Sequence, residues 1–346
     1  MTPAPAFGDA IAGCLLGGAV GDALGSVVEF ASIDEIRGRY GPGGLTAFPP
    51  EGGHITDDTQ MTLFTAEGLI RARRRFEARR VDHAEDELWG AYRRWLDTQG
   101  EGPPGAGAAA GGDAAGGDTG DGGLVEESAL RHRRAPGTTC LSALAGNEPG
   151  FVDLPVNDSK GCGGVMRVAP VGLVARHPSG LGIASAALTH GHPSGYLAAG
   201  AAAYIIGRVR IGQGLRPAAQ GAMEAVSVWE GHEETTAALR QALALADKEP
   251  VATPETVATL GQGWVAEEAL AIAVYCALTG ETFEGAVLAA VNHSGDSDST
   301  AAITGNLLGA AGGRSAVPEA WIAALSERAV VERVAEALSA CFAPSS

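Results

Sequence analysis

The sequence predicts an all-α protein. Apolar residues recur at helical spacing in one segment after another, period-2 alternation with β-branched side chains is scarce, and glycine-rich stretches fall between the helical segments as connections. With 346 residues, 45% of them hydrophobic, the chain can bury a sizeable core.

Near the N-terminus, "MTPAPAFGDA" lacks the basic-then-apolar pattern of a signal peptide. The apolar stretch that follows, "AGCLLGGAVGDALGSVV" at 12–28, contains Asp22 and many glycines and falls short of a bilayer-spanning helix. At 54–70, "HITDDTQMTLFTAEGLI" sets Thr56, Asp57 and Asp58 ahead of an apolar run, as at a capped helix start. In "HAEDELWGAYRRWLDTQ", Leu88, Tyr92, Trp95 and Leu96 share one helical face. Residues 100–123, "GEGPPGAGAAAGGDAAGGDTGDGG", hold no bulky side chain to bury and are expected to be a flexible surface insertion within one domain spanning 1–346. Helical spacing resumes at 181–207, 264–279, 283–292, 299–311 and 320–342.

A net charge of −17 argues against nonspecific binding to nucleic acid or to an anionic membrane, and it suits divalent cations. The five cysteines are scattered, with no C-x-x-C spacing, and are read as reduced thiols of a cytoplasmic protein.

Two acidic clusters stand out, Thr56-Asp57-Asp58 and Asp296-x-Asp298-Ser299. One helix start needs one capping oxygen, and here several crowd each start. Together they offer four carboxylates and two neutral hydroxyls, a donor set for hard cations whose charge balances two divalent ions if the fold brings the clusters together. An EF-hand reading of "DSDSTAAITGNL" fails, because its sixth residue is Ala301 instead of glycine and its twelfth is Leu307 instead of glutamate. The loop "SKGCGGVMR" at 159–167 is glycine-rich and allows close backbone approach to a ligand. His190 and His192, two apart in "LTHGHPSGY", would point away from each other on a helix and cannot readily share an ion.

Six motifs in order, "GCLLGGAVGDALGSVVEF", "ITDDTQMTLFTAEGL", "RAPGTTCLSAL", "SKGCGGVMRVAPVGL", "LTHGHPSGYLAAGA" and "NHSGDSDSTAAITGNLLGA", resemble the ADP-ribosylglycohydrolase family over residues 8–313. That family includes the dinitrogenase reductase-activating glycohydrolases and the ADP-ribosylarginine hydrolases. The resemblance implies an orthogonal helical bundle with a central cleft holding two Mg²⁺ or Mn²⁺ ions, ligated by Thr56, Asp57, Asp58, Asp296, Asp298 and Ser299. It further implies that Ser159, Gly161, Gly163 and Gly164 contact the ADP-ribose diphosphate and ribose, and that His190 and Tyr196 line the cleft. Glu29 is placed on a mobile acidic flap, and Asp57 or Asp58 takes a proton from the attacking water. Asp22 is expected to support the backbone around it. The expected activity is hydrolysis of the N-glycosidic bond between ADP-ribose and a protein arginine. The alternatives are hydrolysis of serine-linked or other O-linked ADP-ribose, and a non-catalytic ADP-ribose-binding or toxin-neutralising protein. The expected partners are mono-ADP-ribosylated proteins and ADP-ribose.

Overall fold

In α1 (Phe7–Gly25), Gly13, Gly17, Gly21 and Gly25 repeat at intervals of four and therefore lie on one face. The computed structural model, which describes residues 4–50, 52–80, 83–100 and 123–343, shows what that face does. It lies against a second helix near the C-terminal end of the chain, running in the opposite direction. Gly13 meets Gly309, Gly17 meets Gly305, Gly21 meets Ala301 and Gly25 meets Ser297. A Cβ on Gly21 would sit 2.1 Å from the Ala301 carbonyl oxygen, and one on Gly17 would sit 2.4 Å from that of Gly305, so only glycine permits this approach. Asn306 crosses the seam and donates from Nδ2 to the Cys14 carbonyl (2.8 Å).

Sixteen α-helices occur among the described residues, and no strand. After α1 come α2 (Ile33–Tyr40), α3 (Asp57–Arg79), α4 (Ala84–Thr98), α5 (Thr138–Ala145), α6 (Ala169–Val174), α7 (Pro178–Ala187) and α8 (Pro193–Val209). The remainder are α9 (Leu215–Val226), α10 (Glu233–Lys248), α11 (Pro254–Val257), α12 (Ala266–Thr279), α13 (Phe283–Val291), α14 (Ser297–Gly312), α15 (Glu319–Ala324) and α16 (Arg328–Phe342). The all-α expectation holds. Buried apolar side chains from Ile11 to Leu338 form one contiguous cluster, with α1 and α14 as its most extensively packed pair. Residues 101–122 of the glycine-rich insertion lie outside the described residues.

Three details differ from the sequence expectation. The periodic stretch at 181–207 is two helices, because α8 begins with Pro193 at its first position and a proline cannot continue the helix before it. The stretch at 320–342 is also two, because Leu325 and Ser326 leave the helix to pair with Gly53. Finally, α1 is long and apolar enough to cross a bilayer, with a mean hydropathy of 1.3 over its best window. What sets it apart from a membrane span is neither Asp22 nor glycine content but packing, since 78% of that window is buried inside the protein.

Candidate metal centre

The α1–α14 seam sets the site. Its register places Asp22, fully buried on α1, against the start of α3, where it receives the backbone N–H of Thr56 (3.0 Å), the Thr56 hydroxyl (2.8 Å) and the N–H of Thr59 (3.1 Å). Asp22 thus ties the start of α3 to α1, in keeping with a supporting role. On the other side, Glu327 accepts the Ile55 N–H (3.2 Å) and Arg134 Nη1 (3.0 Å), holding the segment just before Thr56.

Two helix starts therefore face one another. Thr56 caps α3, accepting the Asp58 N–H at 3.3 Å, and Asp296 caps α14, accepting the Ser299 N–H at 3.4 Å. Capping explains those two residues and leaves Asp57, Asp58 and Asp298 over. All are buried, and Thr56 Oγ1 lies 3.4 Å from Asp298 Oδ2, so residues 242 positions apart share one site. Carboxylate oxygens of Glu29, Asp296 and Asp298 converge within 4.8 Å of one another. Asp58 Oδ2 is enclosed and has no hydrogen-bond partner. A divalent cation fits this donor set: converging buried oxygens of hard character, one of them orphaned, in mutual repulsion.

That repulsion appears in the protonation of the cluster. Burial, and then the charge of Asp298, pushes Asp22 up to about 7. Burial, followed by the charges of Asp298, Asp57 and Asp22, pushes Glu29 up to about 9. Asp57, Asp58 and Asp296 are held well above the usual carboxylate range, chiefly by burial and then by the charge of Asp298, although the Gly137 N–H donated to Asp57 Oδ2 (3.1 Å) works the other way.

The carboxylates line a cavity of about 230 Å³ whose far side is neutral. Gly161, Cys162 and Gly163 form part of it. The loop that carries them is tied down by Ser159 to Thr139 (2.9 Å), by the Cys162 N–H to the Trp264 carbonyl (3.3 Å), and by Lys160 to Glu234 (2.9 Å) and Glu267 (2.8 Å). A Cβ on Gly163 would lie 2.7 Å from Cys140 Sγ and 2.9 Å from His190 Cε1, so glycine keeps the wall closely fitted there. Ser159 and Gly164 are not cavity-lining, since Ser159 braces the loop and Gly164 packs against Ala186. His190 lines the cavity, with Nδ1 bonded to Thr189 Oγ1 (2.8 Å), and burial depresses it to about 3, with the nearby Arg167 charge adding to the effect, so it is neutral. His192 points elsewhere and caps α8 through Ser194 N–H (3.1 Å). Tyr196 is buried within α8 and does not line the cavity.

Several lining groups were invisible to sequence reasoning. Gly137, Thr138 and Cys140 lie in the quoted "RAPGTTC" motif, yet nothing there marks the Gly137 amide as a donor to Asp57. Cys162 donates its thiol to Asp296 Oδ2 (2.9 Å). Trp264 lines the cavity and stacks on Phe30, ring centres 5.8 Å apart, joining the residue next to Glu29 to the neutral wall. Arg167, fully buried, supports that wall from behind, stacked on Tyr92 and bonded to Thr189 (2.8 Å).

Comparison with known proteins decides the family. A sequence model of ADP-ribosylglycohydrolases matches residues 3–345. The chain belongs to the ADP-ribosylglycohydrolase family. It is 26% identical to the ADP-ribosyl-[dinitrogen reductase] glycohydrolase of Rhodospirillum rubrum, with 95% of this chain and 94% of the relative covered. It is 24% identical to ADP-ribosylhydrolase ARH3 of Mus musculus over 96% and 92% of the two chains. A solved structure described as an ADP-ribosylglycohydrolase-related protein complex aligns with a TM-score of 0.60 at 28% identity, covering 97% of this chain and 99% of that one. As a member of this family, the chain is a hydrolase of ADP-ribose linkages, and its acidic cluster is suited to the metal on which such hydrolysis depends.

Proposed function

We propose that this ADP-ribosylglycohydrolase releases ADP-ribose from arginine on a mono-ADP-ribosylated protein, using two Mg²⁺ or Mn²⁺ ions held by Thr56, Asp57, Asp58, Asp296, Asp298 and Ser299. The observation that carries the arginine assignment is the fifth carboxyl of the cavity: Asp57, Asp58, Asp296 and Asp298 balance two divalent ions, and Glu29 is left over in a lining that holds no lysine or arginine. Proton transfer from that carboxyl to the departing guanidine leaves a guanidinium–carboxylate pair, whereas a serine hydroxyl departs neutral and forms no such pair. The Rhodospirillum rubrum relative, named for release of ADP-ribose from dinitrogen reductase, supports the same protein-linked substrate class.

The ions, when bound, would fix the distal ribose hydroxyls and polarise the sugar. The chain's own residues do the rest. Asp57 or Asp58, both enclosed in the cavity lining, takes the proton of the attacking water. Glu29, which lines the cavity beside them, supplies a proton to the departing nitrogen or closes over it. The Gly161–Gly163 backbone and neutral His190 present an uncharged wall to the diphosphate and ribose, against which the acidic wall fixes the sugar.

The decisive experiment measures ADP-ribose release from arginine-linked and serine-linked protein in parallel, with Mg²⁺ and after chelation. Metal-dependent release from arginine, at least about tenfold faster than from serine, is expected. Preference for the serine linkage overturns the arginine assignment, and full activity after exhaustive chelation overturns the metal centre.

A further inference from the structure

A second cavity lies at the opposite end of the α7–α8 pair from the acidic site. His190 and His192 stand at one end of this antiparallel pair; the residues around Pro178 and Arg210 stand at the other, roughly 24 Å away at about 1.5 Å per residue along α8. The cavity there measures about 520 Å³. Arg176, His177, Arg208 and Arg210 line it, and no carboxylate does. In a chain of net charge −17 this concentration of positive charge runs against the whole.

None of the three guanidiniums is committed to an ion pair among the described residues. Arg208 donates only to the neutral amide of Gln213 (2.5 Å), and Arg210 lies over the Phe7 ring (5.1 Å) with its enclosed Nε lacking any partner. A comparably large cavity of about 530 Å³ between α3 and α16 is different, for its Arg71 is bonded to Glu67 and its Arg333 to Glu127.

The start of α7 opens into the same basic cavity. Its N-cap residue, His177, supplies no side-chain cap, and Pro178 has no N–H, so the amides of Ser179 and Gly180 are left to an outside acceptor. Ser179 Oγ is enclosed and unpartnered as well. A Cβ on Gly180 would meet nothing within 4 Å, so an anion can approach. Two aromatic rings, Tyr204 and the partly exposed Trp229, complete the lining.

We propose that this cavity is a non-catalytic binding site for a nucleoside phosphate. The phosphate is taken by Arg176, Arg208 and the free amides of α7, and the base by the aromatic wall. Arginine forks and uncapped helix starts are the groups that recognise phosphate, and flat rings accept a base whatever its identity.

Calorimetric titration of the full chain with AMP, and separately with inorganic pyrophosphate, tests this at low and at raised salt. AMP is expected to bind, more weakly as salt increases, and more tightly than pyrophosphate because only AMP uses the rings. The exposed pair Arg176→Ser/Arg208→Ser is expected to weaken AMP binding at least tenfold while leaving Mg²⁺ binding and ADP-ribose release unchanged, which also reports that the variant is folded. Trp229→Ala is expected to weaken AMP binding and spare pyrophosphate. AMP binding that the double variant does not alter, pyrophosphate binding as tight as AMP, or binding only of an acidic peptide would each overturn the proposal.

Discussion

The two walls of the acidic cavity are built on opposite principles. On the acidic wall, Asp57, Asp58, Asp296 and Asp298 rise from two buried helix starts and repel one another, and Asp58 keeps an oxygen with no partner. On the neutral wall, the 159–163 loop satisfies itself: Ser159 with Thr139, Lys160 with Glu234 and Glu267, and Asn157 with the Ser159 and Gly191 amides. A wall whose carboxyls must otherwise take up protons is suited to a cation, whereas a wall already satisfied can serve as a rigid surface for substrate. Under the proposed function, the difference assigns metal binding to one wall and substrate fit to the other.

The largest effect expected falls on the acidic wall. Asp298→Asn keeps the size and removes one charge from the metal cage, so it is expected to cut ADP-ribose release by about a hundredfold or more and to weaken metal binding measured by calorimetry. Glu29→Gln alters a carboxyl that converges with Asp296 and Asp298 but leaves the six proposed ligands intact, so it is expected to keep the metals while slowing turnover. If it loses metal as severely as Asp298→Asn, Glu29 belongs to the coordination sphere.

A smaller effect is expected across the cavity. Gly163→Ala places a methyl 2.7 Å from Cys140 Sγ and pushes that wall inward. The KM for ADP-ribosylated protein is expected to rise roughly tenfold, equivalent to about 1.4 kcal/mol, with metal affinity unchanged. A change in metal affinity without a change in KM would show that the two walls are not separate.

The smallest effect is on stability against pH. With no cation between them, Asp22 and Glu29 have folded-state pKa values of about 7 and about 9, above their ordinary values. A raised carboxyl contributes stability that is fully present below its unfolded value of roughly 4 and is lost as pH rises through the folded value. The chelated protein is therefore expected to have a melting temperature that falls between about pH 5 and pH 9, and Mg²⁺ to restore most at the alkaline end. A melting temperature that rises over that range would mean that the acidic wall is not strained by its own charge.

What the sequence determined by itself was local. Helical periodicity marks Leu88, Tyr92, Trp95 and Leu96 as one buried face, and all four are buried in α4. The excess of oxygen-bearing residues at 56–58 and 296–299 marks two helix starts carrying more than a cap requires. Ordered motifs along the chain were enough to point to the family. The break between α7 and α8 was missed in the periodic run at 181–207, although Pro193 carries its signal.

Only the tertiary structure decided which of these features meet. The glycines at 13, 17, 21 and 25 carry no chemistry of their own, yet their missing side chains let α1 and α14 touch backbone to backbone and so bring Asp298 to Thr56. It separated His190, in the cavity, from His192, a helix cap, and set Tyr196 apart from the cavity lining. It also added the Gly137 amide and Trp264, groups whose roles depend on where a loop comes to rest. Spacing along a chain reports the period of a helix because that period is local. The cavity depends on contacts between residues hundreds of positions apart, and those follow from how closely whole helices can pack.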